Sequence, residues 1–265
     1  MADRNDNDAI QTTNTSFEII HALQELGPAR LSEIADRLGL AESTTHRHLQ
    51  TLSDLRYVSR DGDRYQIGLR FARLGRAAQT RDPAYEMAKP HVQELAEETG
   101  ERAQFVVEDH GLGIYLHVET GSRAVRVGFG VGRQIHLHSS SAGKAILAHS
   151  PRDRVDDILD QWGLPAHATN TITDRDALYD ELETVRERGV AFNREEHVDG
   201  LNGTAVPVKR DGRAVGALAV AGPSHRLTGE WFEDEIPSMM LAAANELELN
   251  VTYASDASST DHIVE

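Results

Sequence analysis

The chain has 265 residues, a formal net charge of −16 at pH 7 and no cysteine. The lack of cysteine excludes disulfide bonds and thiolate metal sites, and no run reaches the ~20 apolar residues that a membrane span needs. We therefore expect a cytoplasmic protein without a membrane partner, and the length allows two domains, each with its own core.

The negative charge lies almost entirely outside one basic stretch. Residues 40–76 contain 7 arginines and 4 acids, a net charge of +3, whereas residues 81–265 contain 17 basic and 32 acidic residues, a net charge of −15. Only three residues are lysines, at positions 89, 144 and 209. An acid excess with few lysines is typical of proteins that stay soluble in molar salt. It predicts a halophilic source, with an acidic, arginine-rich protein from a GC-rich genome as the alternative.

The predicted elements divide the chain into five segments. Residues 1–13 are rich in Asp, Asn and Thr without hydrophobic periodicity, which predicts a disordered tail. Residues 14–68 are predicted to form a helical module that ends in a β-hairpin, and residues 69–82 a linker helix. Residues 83–252 are predicted to form a second domain, followed by a flexible tail at 253–265.

The stretch from residue 31 to residue 60 predicts two short helices. Apolar residues recur at i, i+3, i+4 and i+7 from Leu31 to Leu38, which defines one face of a helix. Gly39 follows, where a helix end favours a residue that can adopt positive φ. A second helical face runs from Thr45 to Leu55. Two helices joined by a short turn are typical of helix-turn-helix proteins, although two solvated helices of an ordinary bundle give the same pattern.

The flanking sequence favours a winged helix-turn-helix module. Upstream, residues 15–18 (TSFE) match a capping box and predict the start of a helix there. Downstream, Asp61-Gly62-Asp63 joins two short alternating runs, which is a hairpin pattern. Three helices followed by a hairpin is the element order of a winged helix.

The second helix of the pair carries hydrogen-bonding groups near its N-terminal end. Hydroxyl, imidazole and guanidinium groups there can contact base edges in the major groove. Arginines on the hairpin suit phosphate or minor-groove contacts. The predicted DNA-binding residues are Ser32, Ser43, Thr44, Thr45, Arg47, His48, Arg60 and Arg64.

The second domain alternates β-prone runs with amphipathic helices. Strands are predicted at 103–108, 114–119, 124–129, 204–209 and 214–220, and helices at 141–149, 152–161, 174–188 and 231–249. Helices flanking an antiparallel sheet predict a sensor-like domain, so the fold class of the chain is α+β.

Four motifs, in order, resemble the IclR family of transcriptional regulators. They are residues 131–145 (VGRQIHLHSSSAGKA), 189–197 (GVAFNREEH) with Gly200, 205–208 (AVPV) and 219–223 (AVAGP). The resemblance covers residues 15 to 249. It implies an N-terminal winged helix-turn-helix, a linker helix and a C-terminal GAF-like effector-binding domain. Together with the composition, it suggests a regulator from a halophilic archaeon.

The resemblance also implies an effector pocket. Backbone N–H groups at the start of the helix after Ser139-Ser140 can hold a carboxylate. Asn193 replaces an acid of the family, and two alanines replace hydroxyl residues, so the effector is expected to be a carboxylate such as a sugar acid or an aromatic acid. The matched positions are Ala124, Val127, Ile135, Ser141, Ala142, Gly143, Asn193, Leu201, Gly203, Ala219 and Ala221.

We therefore predict a sequence-specific transcription regulator, neither an enzyme nor a cofactor-dependent protein. It is expected to bind a palindromic double-stranded DNA operator as a homodimer or homotetramer, to respond to a small-molecule effector and to control a catabolic operon. The alternative is a metal- or ligand-binding sensor whose winged module mediates protein contacts. The weak metal candidates are His136, His138 and His197.

Overall fold

The computed structural model describes residues 10–125 and 130–260, with side chains up to residue 253. The chain forms two compact units, residues 1–81 and 82–265. Each unit has its own hydrophobic core. The division falls one residue before the predicted start of the second domain. Within the described residues, no helix is long and apolar enough to cross a membrane.

The N-terminal unit is a three-helix module with a hairpin and a following helix. Its elements are α1 (Gln11–Leu26), β1 (Ala29–Arg30), α2 (Leu31–Leu38), α3 (Glu42–Asp54), β2 (Val58–Asp61), β3 (Arg64–Ile67) and α4 (Arg70–Gln79). The strand order is β1-β3-β2, all antiparallel. Ile19, Ile34 and Leu49 meet in the core, one from each of the first three helices. The predicted winged helix-turn-helix is therefore confirmed.

The predicted start of α1 is wrong. The helix begins at Gln11, so the last three residues of the predicted tail are helical. Thr15 is buried inside the helix, one turn before Ile19 on the same inward face. A side chain on that face packs into the core, so it cannot cap a helix end at this position. Residues 1–9 and 261–265 of the predicted tails lie outside the described residues.

In the part of the C-terminal unit that the structure describes, six antiparallel strands form a sheet with helices on both faces. Its elements are α5 (Pro83–Thr99), β4 (Arg102–Asp109), β5 (Leu112–Thr120), β6 (Gln134–His136), α6 (Ser141–Ala148), α7 (Arg152–Trp162), α8 (Arg175–Arg188), β7 (Ala191–Arg194), β8 (Leu201–Arg210), β9 (Arg213–Pro223) and α9 (Ile236–Thr260). The strand order is β6-β5-β4-β9-β8-β7. The predicted helices flanking an antiparallel sheet are confirmed.

Side-chain alternation along the strands creates the two layers. Phe105, Leu218 and Val220 pack against α5 and α9. Alanines at 205, 217 and 219 face the opposite layer, which contains α6, α7 and α8. Methyl side chains let a helix lie close to the sheet, so α6 sits directly on the central strands.

The expected strand at 124–129 differs from the structure. Residues 124 and 125 are not in a strand, and residues 126–129 lie outside the described part of the chain. The sheet is completed instead by β6 and β7, which were not predicted as strands. At three and four residues, they are too short to show a period of two.

Candidate functional site

Helix α3 exposes one polar face to solvent. Ser43, His46, Arg47 and Gln50 are all exposed and recur at i, i+3, i+4 and i+7. Gln50 donates from Nε2 to Asp54 Oδ1 at 2.8 Å. Ser43 and Arg47 lie where the sequence predicted them. His46 and Gln50 share this exposed face and were not among the predicted residues, although the same spacing places them there.

Three other predicted α3 residues are buried or half-buried and do not belong to this exposed face. Thr45 is 0% exposed and donates its hydroxyl to the Ala41 carbonyl at 3.2 Å, so its assignment to a DNA contact is wrong. Its spacing to Leu49 places it on the core face. His48 is half-buried, with Nδ1 2.8 Å from Ser16 Oγ on α1. Thr44 is half-buried in the same groove as His48.

The hairpin arginines make intramolecular contacts. Arg60 donates from Nε to the Gly62 carbonyl at 2.8 Å and stacks over the Tyr65 ring at 5.4 Å. Arg64 donates to the Pro28 carbonyl at 2.8 Å and lies 3.5 Å from a Glu33 carboxylate oxygen. Arg64 is thereby held near the start of α2, where Ser32 is also exposed. Arg60, in contrast, lies at the Asp61–Asp63 turn that joins the two strands of the hairpin.

A pocket lies in the C-terminal unit between the start of α6 and the sheet. The residues that line it are Arg102, Gln104, Tyr115, Val125, Ser140, Ser141, Asn193, His197, Val198, Leu201, Asn202, Gly203, Ala221, Gly222 and Pro223. The lining thus combines one helix start, the central strands and the turn before β8. A concave site with a few convergent polar groups is typical of small-molecule binding.

The α6 start is shaped to present backbone N–H groups. Ser140 caps the helix by accepting from Gly143 N at 3.0 Å, while the N–H groups of Ser141 and Ala142 have no acceptor within the helix. A Cβ at Gly143 would lie 2.0 Å from the Leu137 carbonyl oxygen, so only glycine permits this close approach. The arrangement suits an anion.

The opposite wall of the pocket is polar and buried. Arg102 and Gln104 occupy alternate positions of β4 and point to the α6 side of the sheet. The Arg102 guanidinium lies 5.3 Å from the Tyr115 ring centroid, and burial lowers the pKa of Arg102. Gln104 is 7% exposed, and its Oε1 has no hydrogen-bond partner among the described residues.

The structure places only part of the predicted effector set in the pocket. Ser141, Asn193, Leu201, Gly203 and Ala221 line it, whereas Ala124, Ile135, Ala142, Gly143 and Ala219 do not, and Val127 lies outside the described residues. Ile135 and Ala219 are buried in the core beneath α6, because their side chains pack between the sheet and that helix. Ala142 and Gly143 lie in the first turn of α6, where the Gly143 N–H donates to Ser140 Oγ.

Asn193 has both ends of its amide engaged within the protein. Its Nδ2 donates to the Ser139 carbonyl at 2.8 Å, and its Oδ1 accepts from Glu196 N at 3.0 Å. The amide therefore orders the turn that borders the pocket. Glu196 in turn pairs with Lys144 Nζ at 2.6 Å, and Glu181 accepts from the same ammonium at 3.1 Å.

Four histidine rings cluster beside the pocket. His136 and His167 approach at 3.0 Å between Nδ1 and Nε2, His138 Nε2 is 3.1 Å from the Pro165 carbonyl, and His197 Nδ1 is 3.1 Å from Ser139 Oγ. Burial lowers the pKa of His138 and of His197 to about 4 each. Across the described ranges, no group of three or more His, Asp or Glu side chains is arranged to hold a metal ion.

A winged helix-turn-helix unit joined to a unit with a small-molecule pocket defines a DNA-binding transcription regulator with an effector-binding domain. Comparison with known protein families supports this class of protein for both units. The helix-turn-helix model of the IclR family matches residues 16–62, and the model of the bacterial IclR regulator C-terminal domain matches residues 77–249. The chain belongs to the IclR family of transcription regulators, and its function is regulatory rather than enzymatic.

Individual relatives extend over nearly the whole chain. A protein of Halobacterium salinarum named as the probable HTH-type regulator ArcR is 30% identical over 250 residues, 92% of this chain and 95% of its own. The crystal structure of IclR from Thermotoga maritima superposes with a TM-score of 0.79 at 26% identity, covering 92% of this chain and 99% of that one. An IclR homologue from Microbacterium hydrocarbonoxydans, complexed with 4-hydroxybenzoate, gives a TM-score of 0.75 at 21% identity, covering 90% and 99%.

Proposed function

We propose that this cytoplasmic regulator binds a palindromic operator upstream of a catabolic operon, and that a small carboxylate in the pocket modulates this binding. The observation that carries the proposal is the α6 start: Ser141, its first residue, lines a pocket that also contains Arg102, and the N–H groups of Ser141 and Ala142 have no acceptor within the helix. Positive helix-end charge and a guanidinium together favour an anionic ligand. The 4-hydroxybenzoate bound to a structural relative is also a carboxylate.

The direct test combines operator binding with ligand screening. Full-length protein would be titrated onto its own upstream DNA, with and without a panel of sugar acids, aromatic acids and short keto acids. A carboxylate present at 100 times its Kd adds about 2.7 kcal/mol to the stability of the folded protein, which a thermal shift detects. A panel in which no carboxylate shifts the melting temperature or the operator affinity would contradict the proposal.

We propose Arg47 as a base-reading residue of the exposed α3 face. Arg47→Ala is expected to cost about 1–3 kcal/mol of operator affinity and to relax the sequence preference at one base pair. Arg37→Ala, on the exposed surface of α2, is the matched control and should change neither quantity. Competition between operator DNA and random DNA measures the operator affinity and the sequence preference of each variant. An unchanged ratio of specific to nonspecific affinity in Arg47→Ala would show that α3 does not read the sequence.

We propose assembly of a homodimer or homotetramer through the N-terminal unit. A groove between α1, α3 and α4 exposes Phe17, Leu55 and Leu74, at 52%, 49% and 51% of their surface. Adjacent apolar side chains of this size at a surface are typical of a protein interface. A two-fold dimer would match a palindromic operator.

We also propose a halophilic source, supported by the few lysines, the −15 charge of residues 81–265 and the Halobacterium salinarum relative. For roughly six phosphate contacts, raising salt from 0.1 to 2 M would weaken ordinary DNA binding by about 10⁷-fold. We expect instead a shallow salt slope, and a melting temperature that rises between 0.1 and 2 M KCl as acid repulsion is screened. A steep fall of DNA affinity with salt, together with a flat or falling melting temperature, would refute the halophilic source. It would leave the proposed regulatory function unaffected.

A further inference from the structure

The exposed face of α3 carries a side-chain hydrogen bond that constrains one of its polar groups. Gln50 and Asp54 lie about one turn apart on this face, and Gln50 donates from Nε2 to Asp54 Oδ1 at 2.8 Å. The buried residues Thr45 and Leu49 lie on the other side of the helix, against the core. The constrained pair therefore lies on the face of α3 that can enter the major groove of DNA.

The hydrogen bond to Asp54 leaves the Gln50 amide with one free donor and one free acceptor. A carboxamide has two N–H donors on its nitrogen and one oxygen that accepts. Asp54 accepts from the nitrogen, and Gln50 has no other hydrogen bond within the described part of the chain. One N–H and Oε1 thus remain available side by side.

This pair of groups distinguishes the two purines. In the major groove adenine presents an acceptor, N7, beside a donor, the N6 amino group, whereas guanine presents two acceptors, N7 and O6. The available N–H and Oε1 of Gln50 match adenine with two hydrogen bonds. Against guanine, Oε1 would meet the O6 acceptor, so one hydrogen bond would be lost and two acceptors would repel each other.

Asp54 affects this match through Gln50 and not through the base itself. A glutamine without a partner can direct both of its N–H groups toward the two acceptors of guanine. Because Asp54 occupies one N–H group, that arrangement is no longer open to Gln50. The carboxylate of Asp54 also repels DNA phosphates, so its effect on affinity for any DNA is opposite in sign to its effect on base preference.

We propose that Gln50 reads an adenine in the operator and that Asp54 is a positioning residue that excludes guanine at the same base pair. This rests on the contact between α3 and the operator proposed above, and it adds a second base contact beside Arg47. The guanidinium of Arg47 has no partner among the described residues and suits guanine. Arg47 and Gln50 are about 4.5 Å apart along the helix axis, close to the rise of about 3.4 Å per base pair. A guanine and an adenine at neighbouring base pairs are therefore expected in each half of the operator.

The first test measures affinity for the chain's own upstream operator and for its single-base variants with the full-length protein. Replacing the adenine by guanine should weaken binding of the parent about 5- to 150-fold. Gln50→Ala should lose the preference at this base pair alone and keep the preference that depends on Arg47. Gln24→Ala, on the exposed surface of α1, is the matched control and should change neither.

The outcomes separate this inference from the proposed role of α3. If Gln50→Ala kept the parent's preference at every base pair, or lost it at a base pair without adenine, the inference would be overturned and the role of Arg47 would stand. If neither Gln50→Ala nor Arg47→Ala changed any preference, both would be overturned. The melting temperature of each variant should equal that of the parent, since both side chains are exposed.

Two further variants separate the positioning role of Asp54 from its charge. Asp54→Ala frees both N–H groups of Gln50, so guanine should bind within about threefold of adenine at this base pair. Asp54→Asn keeps an acceptor oxygen, so it should retain the adenine preference. Both variants should bind random DNA more tightly than the parent, because a carboxylate has been removed from the DNA-facing surface. An adenine preference that survived in Asp54→Ala, or was lost in Asp54→Asn, would contradict the positioning role.

Discussion

Replacing Lys144 by methionine is expected to lower the free energy of unfolding of the C-terminal unit by about 3–5 kcal/mol. Lys144 is 1% exposed and its ammonium lies between the carboxylates of Glu196 and Glu181. Methionine fills a similar volume but leaves the buried Glu196 carboxylate without a cation. An uncompensated buried charge costs more than the ion pair itself contributes.

The control for this prediction is an exposed pair in the same unit. Glu233 pairs with Arg194 at 3.0 Å, and both side chains are more than half exposed. Glu233→Gln should change stability by about 0–1 kcal/mol, because solvent screens such a pair. Urea denaturation followed by tryptophan fluorescence measures both variants, since Trp162 and Trp231 belong to this unit. If Lys144→Met cost no more than Glu233→Gln, the buried ion pair would have no stabilising role.

Gly143→Ala is expected to destabilise the same unit by about 3 kcal/mol and to weaken carboxylate binding. The added Cβ would lie 2.0 Å from the Leu137 carbonyl oxygen and 2.4 Å from Leu137 Cα. Both are backbone atoms, so α6 must move away from the preceding turn, which costs about 1–3 kcal/mol or more. The movement would also displace the N–H groups of Ser141 and Ala142.

A second glycine serves as the matched control. Gly130→Ala places its Cβ in open space at a backbone conformation that alanine tolerates, so stability and ligand affinity should stay close to those of the parent. Fluorescence-detected denaturation and calorimetry with the tightest-binding carboxylate measure the two variants side by side. A Gly143→Ala protein as stable as Gly130→Ala, with the same affinity, would mean that the close approach at α6 is not required.

Hydrophobic period and turn residues were sufficient to predict the winged helix-turn-helix of the N-terminal unit, but not the residue at which α1 begins. The apolar spacing of α2 and the αL conformation available to Gly39 locate the turn before α3. The apolar spacing from Thr45 to Leu55 also predicted which face of α3 is buried. The assignment of Thr45 to a DNA contact was inconsistent with that spacing, and the burial of Thr45 beside Leu49 removes it from the DNA-binding set.

The effector pocket could be predicted only in part, because it depends on strand register. Alternation along β4 indicates that Arg102 and Gln104 share a face, but not that this face lies opposite Ala221 and Ala219. The role of Asn193 is also nonlocal, since one of its partners is 54 residues away at Ser139. Long-range pairings of this kind leave no periodic trace in a single sequence.

The order of the sheet has a consequence for behaviour at high protein concentration. Among the described residues, the two edge strands of the sheet, β6 and β7, are its shortest, with three and four residues. A short edge offers few unpaired backbone groups to another chain, which limits edge-to-edge aggregation. Molar salt strengthens apolar association and screens the repulsion between acidic chains. A sheet that ends in short strands therefore retains protection against aggregation under conditions in which charge no longer provides it.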